Sequence, residues 1–173
     1  KLSEIKGLAW IRILYAYPEE IDDALIEEMA RNPKVCHYID MPIQHSNDYI
    51  LGRMGRRTSR ADIIDVIGRL RKAMPDICIR TTLICGFPGE TEEMHQDQVS
   101  FIREMKFDRL GAFPYSREKD TVAFDMPDQV PEVTKQLWYD EIMRVQQEIT
   151  FEKNEELIGK KLEVFIEGEI PKD

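Results

Sequence analysis

Gln44, His45 and Ser46 stand together directly after the apolar stretch that ends at Ile43. An amide, an imidazole and a hydroxyl at one turn can hydrogen-bond a ribose or an amino-acid head group. A second group follows at Ile84, Cys85, Gly86, Phe87, Pro88, Gly89 and Glu90. Here two glycines permit a positive φ or the close approach of a ligand, and Pro88 stiffens the turn. Glu90 can accept from a hydroxyl or cap the next helix. A third group, Phe113, Pro114 and Tyr115, offers backbone amides and an aromatic ring that can flank a purine.

Cys78, Arg80, Thr82 and Ile84 fall on alternate positions and therefore share one strand face. An arginine on a buried strand needs a partner. A bound carboxylate and Asp40 on the neighbouring strand serve equally well. Arg53, Arg56, Arg57 and Arg60 form the one dense basic cluster; it reads as a solvated loop, with phosphate or an acidic surface as the other possibility. Ser46 can also act simply as a helix cap.

Several chemistries are excluded. The three histidines are far apart and lack zinc-ligand spacing, and no Ser-His-Asp pattern is present. Cys36, Cys78 and Cys85 are odd in number and widely spaced, which fits reduced thiols rather than a disulfide framework or a metal knuckle. The net charge of -9 speaks against a nucleic-acid platform and for a basic partner. No apolar run is long enough to span a bilayer. The opening residues do not read as a signal peptide, and no Met begins the chain, so a piece of a longer cytoplasmic protein is expected.

These groups need strands to present them and helices to cover those strands. Strands are expected over residues 10–17, 37–42, 77–84 and 107–113, each rich in branched or aromatic apolar residues. Helices between them place Ile21, Ala24, Leu25 and Met29 on one apolar face, then Ile50, Leu51 and Met54, then Ile63, Ile67, Leu70 and Met74. The next face carries Met94, Phe101, Ile102 and Met105, and the last Leu137, Trp138, Ile142, Val145 and Ile149. Ser59 with Asp62 resembles a capping box, Thr91 reads as an N-cap, and Pro131 as a first helical residue. Strand and helix alternate at βαβ spacing, so the fold class is α/β with a parallel sheet. Ligands in such sheets gather at the carboxyl ends of the strands. Residues 161–167 alternate strictly and predict a strand with one wet side, opening a second domain.

The stretches TTLICGFPGETEE (residues 81–93), DMPIQHSNDYILGRMGRR (40–57) and FPYSREKDTVAF (113–124) closely resemble the radical S-adenosylmethionine (SAM) methylthiotransferases. Gln44-His45 and Tyr115-Ser116-Arg117-Glu118 are more similar to the RimO branch, which modifies an aspartate of small-subunit ribosomal protein twelve, than to the MiaB branch, which modifies a tRNA adenosine. The resemblance implies a partial (β/α) TIM-like barrel, with residues 1–158 as its third to sixth strands and residues 159–173 as the start of a β-barrel TRAM domain. It implies SAM as cofactor and two [4Fe-4S] clusters in the full-length protein. Their ligands would lie outside this chain, because no pair of its cysteines has the C-x-x-x-C-x-x-C spacing. It implies cofactor contacts at Gln44, His45 and Ser46 toward the ribose and methionine end. Ile84, Cys85 and Gly86 would lie near the adenine, with Phe113 and Tyr115 offering backbone contacts and Arg80 and Thr82 near the carboxylate. The implied partner is a ribosomal protein, with tRNA as the alternative and no membrane. A lone fragment of this kind is expected to be inactive and to self-associate through an edge or its apolar inner face. Two other readings stay open at this stage: a non-enzymatic α/β binding module, and an unrelated α/β protein with a phosphate site at the Gly86–Gly89 turn.

Overall fold

A computed structural model describes residues 1–164 and Gly168. Four strands, β1 (Ile11–Ile13), β2 (Val35–Asp40), β3 (Cys78–Cys85) and β4 (Arg109–Pro114), form one sheet in sequential order. Every pairing is parallel. The helices are α1 (Asp23–Arg31), α2 (Asp48–Arg53), α3 (Arg60–Ala73), α4 (Glu92–Met105) and α5 (Glu132–Glu155).

The helix starts follow from local chemistry. Asp22 accepts from Leu25 N–H at 2.8 Å at the head of α1. Ser59 and Asp62 complete a reciprocal capping box on α3. Thr91 caps α4, accepting from Met94 N–H at 3.4 Å. Each cap satisfies a donor that the first helical turn leaves free. The cap of α2 is Asn47, not Ser46: its Oδ1 accepts from the Tyr49 and Ile50 amides. Pro131 stands one position before the first residue of α5, as its cap. Lys106 ends α4 in the left-handed region at φ 46, a stop with no glycine to announce it.

β3 alternates cleanly. Ile79, Thr81, Leu83 and Cys85 are buried, while Cys78, Arg80, Thr82 and Ile84 are partly open. The buried set joins Ile39 of β2, Ile63 and Ile67 of α3, Phe101 and Ile102 of α4, and Ile142 and Val145 of α5 in one core. Each large apolar side chain so buried contributes about 1.5–3 kcal/mol. The helices thus cover one face of the sheet. Register pairs Asp40 with Arg80, Thr82 with Gly111 and Ile84 with Phe113 on the other.

Three expectations need correction. The first strand is not a buried run over residues 10–17. It is three residues at the sheet edge, and Trp10, Leu14, Tyr15 and Tyr17 are exposed. An edge strand has one neighbour, and Tyr15 leaves the extended region at φ 58. On α1, Ile26 rather than Ala24 faces the core, and on α5 Leu137 is exposed. Both misplaced residues lie a position or two from the true stripe, a rotation that only the packing partner sets. No strand forms over residues 161–164. Residues 165–167 of the expected strand, and residues 169–173 of the expected TRAM domain, lie outside the described residues.

Candidate ligand site

The carboxyl ends of β2 and β3 are joined beyond the regular ladder. Gln44 N–H donates to Thr82 O at 2.9 Å, and Ile84 N–H donates to Gln44 O at 2.8 Å. Gln44 holds φ 70 to do so, a conformation that L-residues other than Asn and Asp seldom adopt. Its side chain faces a cavity of about 510 Å³ lined by Gln44, Arg53, Arg56, Ile84, Phe87 and Met126. A larger space of about 830 Å³ lies along the β4 edge against α5, lined by Arg80, Arg109 and Arg144 among others. We assign the site to the first, because it lies beyond the carboxyl ends of β2 and β3, where parallel sheets take their ligands.

Two arginines make that cavity cationic. Arg53 donates through Nη1 to Tyr49 Oη at 3.1 Å, and its buried Nε and Nη2 have no partner. Arg56 donates through Nη2 to Pro42 O at 2.8 Å and lies over the Tyr17 ring at 4.7 Å, while its buried Nε has no partner. Guanidinium N–H groups buried without an acceptor cost roughly 1–3 kcal/mol each, so they mark a place for an anionic group. The basic cluster was expected as a solvated loop; it divides instead. Arg60 pairs with Asp97 at 2.5 Å and stacks over Phe101, and Arg57 is exposed. Residue types and spacing carry no signal that separates Arg53 and Arg56 from their neighbours.

The turn after β3 is built around Glu90. Its Oε2 accepts from Gly86 N–H at 2.6 Å and Phe87 N–H at 3.1 Å. Gly86 holds φ 74, Gly89 φ 89, and Gly89 N–H donates to Asp128 O at 2.9 Å. Glu90 therefore anchors its own turn rather than facing a ligand.

The expected site residues divide between cavity, open face and interior. Gln44 and Ile84 line the cavity. Thr82 and Phe113 lie on the open sheet face, Phe113 well exposed. Gly86 is held in the turn just beyond β3. Arg80 has an internal partner, Asp40, at 2.8 Å; of the two partners left open for it, the chain itself supplies one. The Asp40 carboxylate beside it raises the arginine's pKa.

Four side chains do not reach the cavity. His45 is fully buried, with Nδ1 accepting from Asn47 N–H at 2.9 Å. Ser46 is buried, and its N–H donates to Gln98 Oε1 at 3.1 Å. The Cys85 thiol lies on the helix-covered face, directed at the Phe113 and Lys135 carbonyls, and burial with the nearby Glu90 carboxylate pushes its pKa up to about 12. Tyr115 packs edge-on against Phe87 with ring centroids 5.1 Å apart, and burial raises its pKa. His45 and Cys85 each sit one position from a residue that lines the cavity, Gln44 and Ile84, and neighbouring positions of an extended chain point to opposite faces.

Among the described residues, no group of three His, Cys, Asp or Glu side chains is placed to hold a metal ion. None of their helices is long and apolar enough to cross a membrane.

The chain is similar to known proteins in both sequence and fold. The chain is 51% identical over 173 residues, its full length, to the "Ribosomal protein uS12 methylthiotransferase RimO" of Lachnoclostridium phytofermentans, and covers 39% of that relative. It is 50% identical over 168 residues to the protein of the same name from Geobacter sulfurreducens, covering 97% of this chain and 38% of that one. The chain thus spans about two fifths of the length of the curated relatives it matches. Among solved structures, coproporphyrinogen III oxidase (HemN) of Escherichia coli, a radical SAM enzyme, aligns with a TM-score of 0.62 at 22% identity, over 84% of this chain and 32% of that one. The Elp3 protein of Methanocaldococcus infernus aligns with a TM-score of 0.58 at 17% identity, over 80% and 32%. Both share the fold. The family model that takes in residues 1–102, three of the four strands included, is that of the radical SAM superfamily, and the chain belongs to it.

Proposed function

We propose that this chain is part of a radical-SAM methylthiotransferase of the RimO kind, whose substrate is an aspartate of ribosomal protein uS12. The observation that carries this reading is the 51% identity to a protein of that name across the whole chain. In this reading the four strands are the third to sixth of a partial barrel, and residues 159–173 begin the TRAM domain. The two [4Fe-4S] clusters are held by residues outside the chain.

The cavity residues suit SAM in kind. An amino-acid carboxylate needs a buried cation with free donors, and Arg56 and Arg53 have them. Gln44 offers an amide to the ribose or amino group. Ile84 and Phe87 provide apolar walls, with Thr82, Gly86 and Phe113 alongside for the adenosine. SAM, when bound and reduced, supplies the radical that takes hydrogen from the substrate carbon. The task of these residues is to bind, orient and exclude water. The chain's excess of acid complements a basic ribosomal protein.

A chimera tests the reading. The matched segment of the Lachnoclostridium phytofermentans relative is replaced by this chain, and the reconstituted enzyme is given SAM, reductant and either uS12 or tRNA. Methylthiolated uS12 is expected. Methylthiolation of the tRNA alone overturns the substrate assignment, and a folded chimera that cleaves no SAM overturns the enzyme assignment.

A further inference from the structure

His45 Nε2, Ser46 Oγ and Glu90 Oε1, in the two strand-end loops, and Gln98 Nε2 of α4 are buried polar atoms without a hydrogen-bond partner. None belongs to a residue lining the cavity. Buried polar groups are nearly always satisfied, so this cluster calls for a role.

The tautomer of His45 follows from its neighbour. Asn47 N–H donates to Nδ1, so the neutral ring carries its proton on Nε2. That N–H lies 3.2 Å from Glu90 Oε1, with both side chains fully buried. The two atoms are close but not aligned for a hydrogen bond, and neither has another acceptor or donor. Glu90's second oxygen already holds the Gly86 and Phe87 amides. Hydrogen bonds thus join the Asn47 amide to the imidazole and the carboxylate to the turn after β3, and the 3.2 Å contact between His45 and Glu90 lies between them. Gln44, one residue before His45, and Phe87, in that turn, both line the cavity.

We propose that His45 and Glu90 form a buried tie that sets the spacing of the two ligand-bearing loops, so that His45 is a positioning residue for SAM. This rests on the reading of the cavity as the SAM site. The tie holds Gln44 in its left-handed conformation against Ile84 and holds Phe87 across from it. Glu90→Gln keeps an oxygen for the Gly86 and Phe87 amides but turns an N–H toward the Nε2–H. The Asn47 donor prevents the ring from switching tautomer, so two donors then oppose each other. His45→Leu removes the tie from the other side. His45→Gln restores a donor toward Glu90.

The test uses the reconstituted chimera with two readouts. Amide hydrogen exchange is measured without SAM, and KM and kcat for SAM cleavage are measured with it. His45→Leu is expected to speed exchange at Gly86 and Phe87 at least tenfold, although Glu90 is intact, with the α3 core amides unchanged. KM for SAM is expected to rise about tenfold in His45→Leu and Glu90→Gln with kcat changing less, and His45→Gln to recover most of both effects. Unchanged exchange at Gly86 and Phe87 in His45→Leu overturns the tie. Faster exchange with unchanged KM overturns the positioning role. Faster exchange across the α3 core as well as the loops assigns His45 to general stability and overturns the proposal. If the wild-type chimera fails to cleave SAM, the SAM reading falls, and the exchange measurement decides the tie by itself.

Discussion

A Cβ built on Gly86 would lie 2.3 Å from Cγ of the buried Lys135 side chain. The lysine is held from its far end, with Nζ 2.5 Å from Glu132 Oε1 and 5.0 Å from the centre of the Tyr115 ring. The first turn of α5 therefore packs directly on the turn after β3.

Gly86→Ala is expected to cost roughly 2–4 kcal/mol, the sum of a left-handed alanine and an overpacked contact. Urea denaturation of the two proteins measures it. A loss below about 1 kcal/mol would show that the lysine stem moves aside freely.

Arg56→Gln tests the cationic cavity. Removing a charged donor from a buried carboxylate forfeits about 1.5–3 kcal/mol, which is roughly a 10- to 100-fold rise in KM for SAM. Steady-state SAM cleavage by the chimera gives the value. A change under threefold would remove Arg56 from the proposed site.

Cys85 is expected to resist alkylation. Its thiol is buried and its pKa is pushed up to about 12, so almost no thiolate exists near neutral pH. Mass spectrometry after iodoacetamide treatment at pH 8 should find Cys85 unlabelled in the native chain and labelled in denaturant. Native labelling at Cys85 would contradict its placement against α5.

Glu141 predicts an acid-range stability slope. Its carboxylate accepts from His95 at 2.9 Å, and that hydrogen bond holds its pKa below the ordinary 4.5. A lowered folded pKa contributes stability that is fully present above about pH 4.5 and is lost as pH falls through the folded value. Glu141→Gln should flatten the pH dependence of the urea midpoint below that pH. A steeper dependence in the variant would reverse the assignment.

Self-association is expected of the isolated chain. β1 and β4 bound the sheet among the described residues, and Trp10, Leu14, Tyr15 and Phe113 are exposed near its edges or on its open face. Free edges and apolar faces pair with other chains. Sedimentation over a range of concentrations should show mass rising with concentration, and a constant monomer mass would contradict the expectation.

Much of the architecture was legible in residue order. Alternation of apolar strands with periodic helices specified a parallel α/β sheet, because a crossover of that length returns the chain in the same direction. Asp62 three residues after Ser59, and Thr91 ahead of an acidic turn, marked helix starts through hydrogen bonds that span only three residues. The glycines at 86 and 89 marked a turn for the same local reason.

What residue order could not carry was direction. Gln44 and His45 are adjacent and equally polar, yet Gln44 borders the cavity and His45 is sealed behind it. Ile84 and Cys85 divide in the same way. Which of two neighbours faces the ligand depends on strand register and on which sheet face the helices cover, and both are set by contacts between distant segments. The arginines at 53 and 56 differ from those at 57 and 60 only in what surrounds them. Residue types and spacing determined the elements, their caps and the family resemblance. The tertiary structure decided which polar groups are left without partners, because that depends on every segment that comes to lie around them.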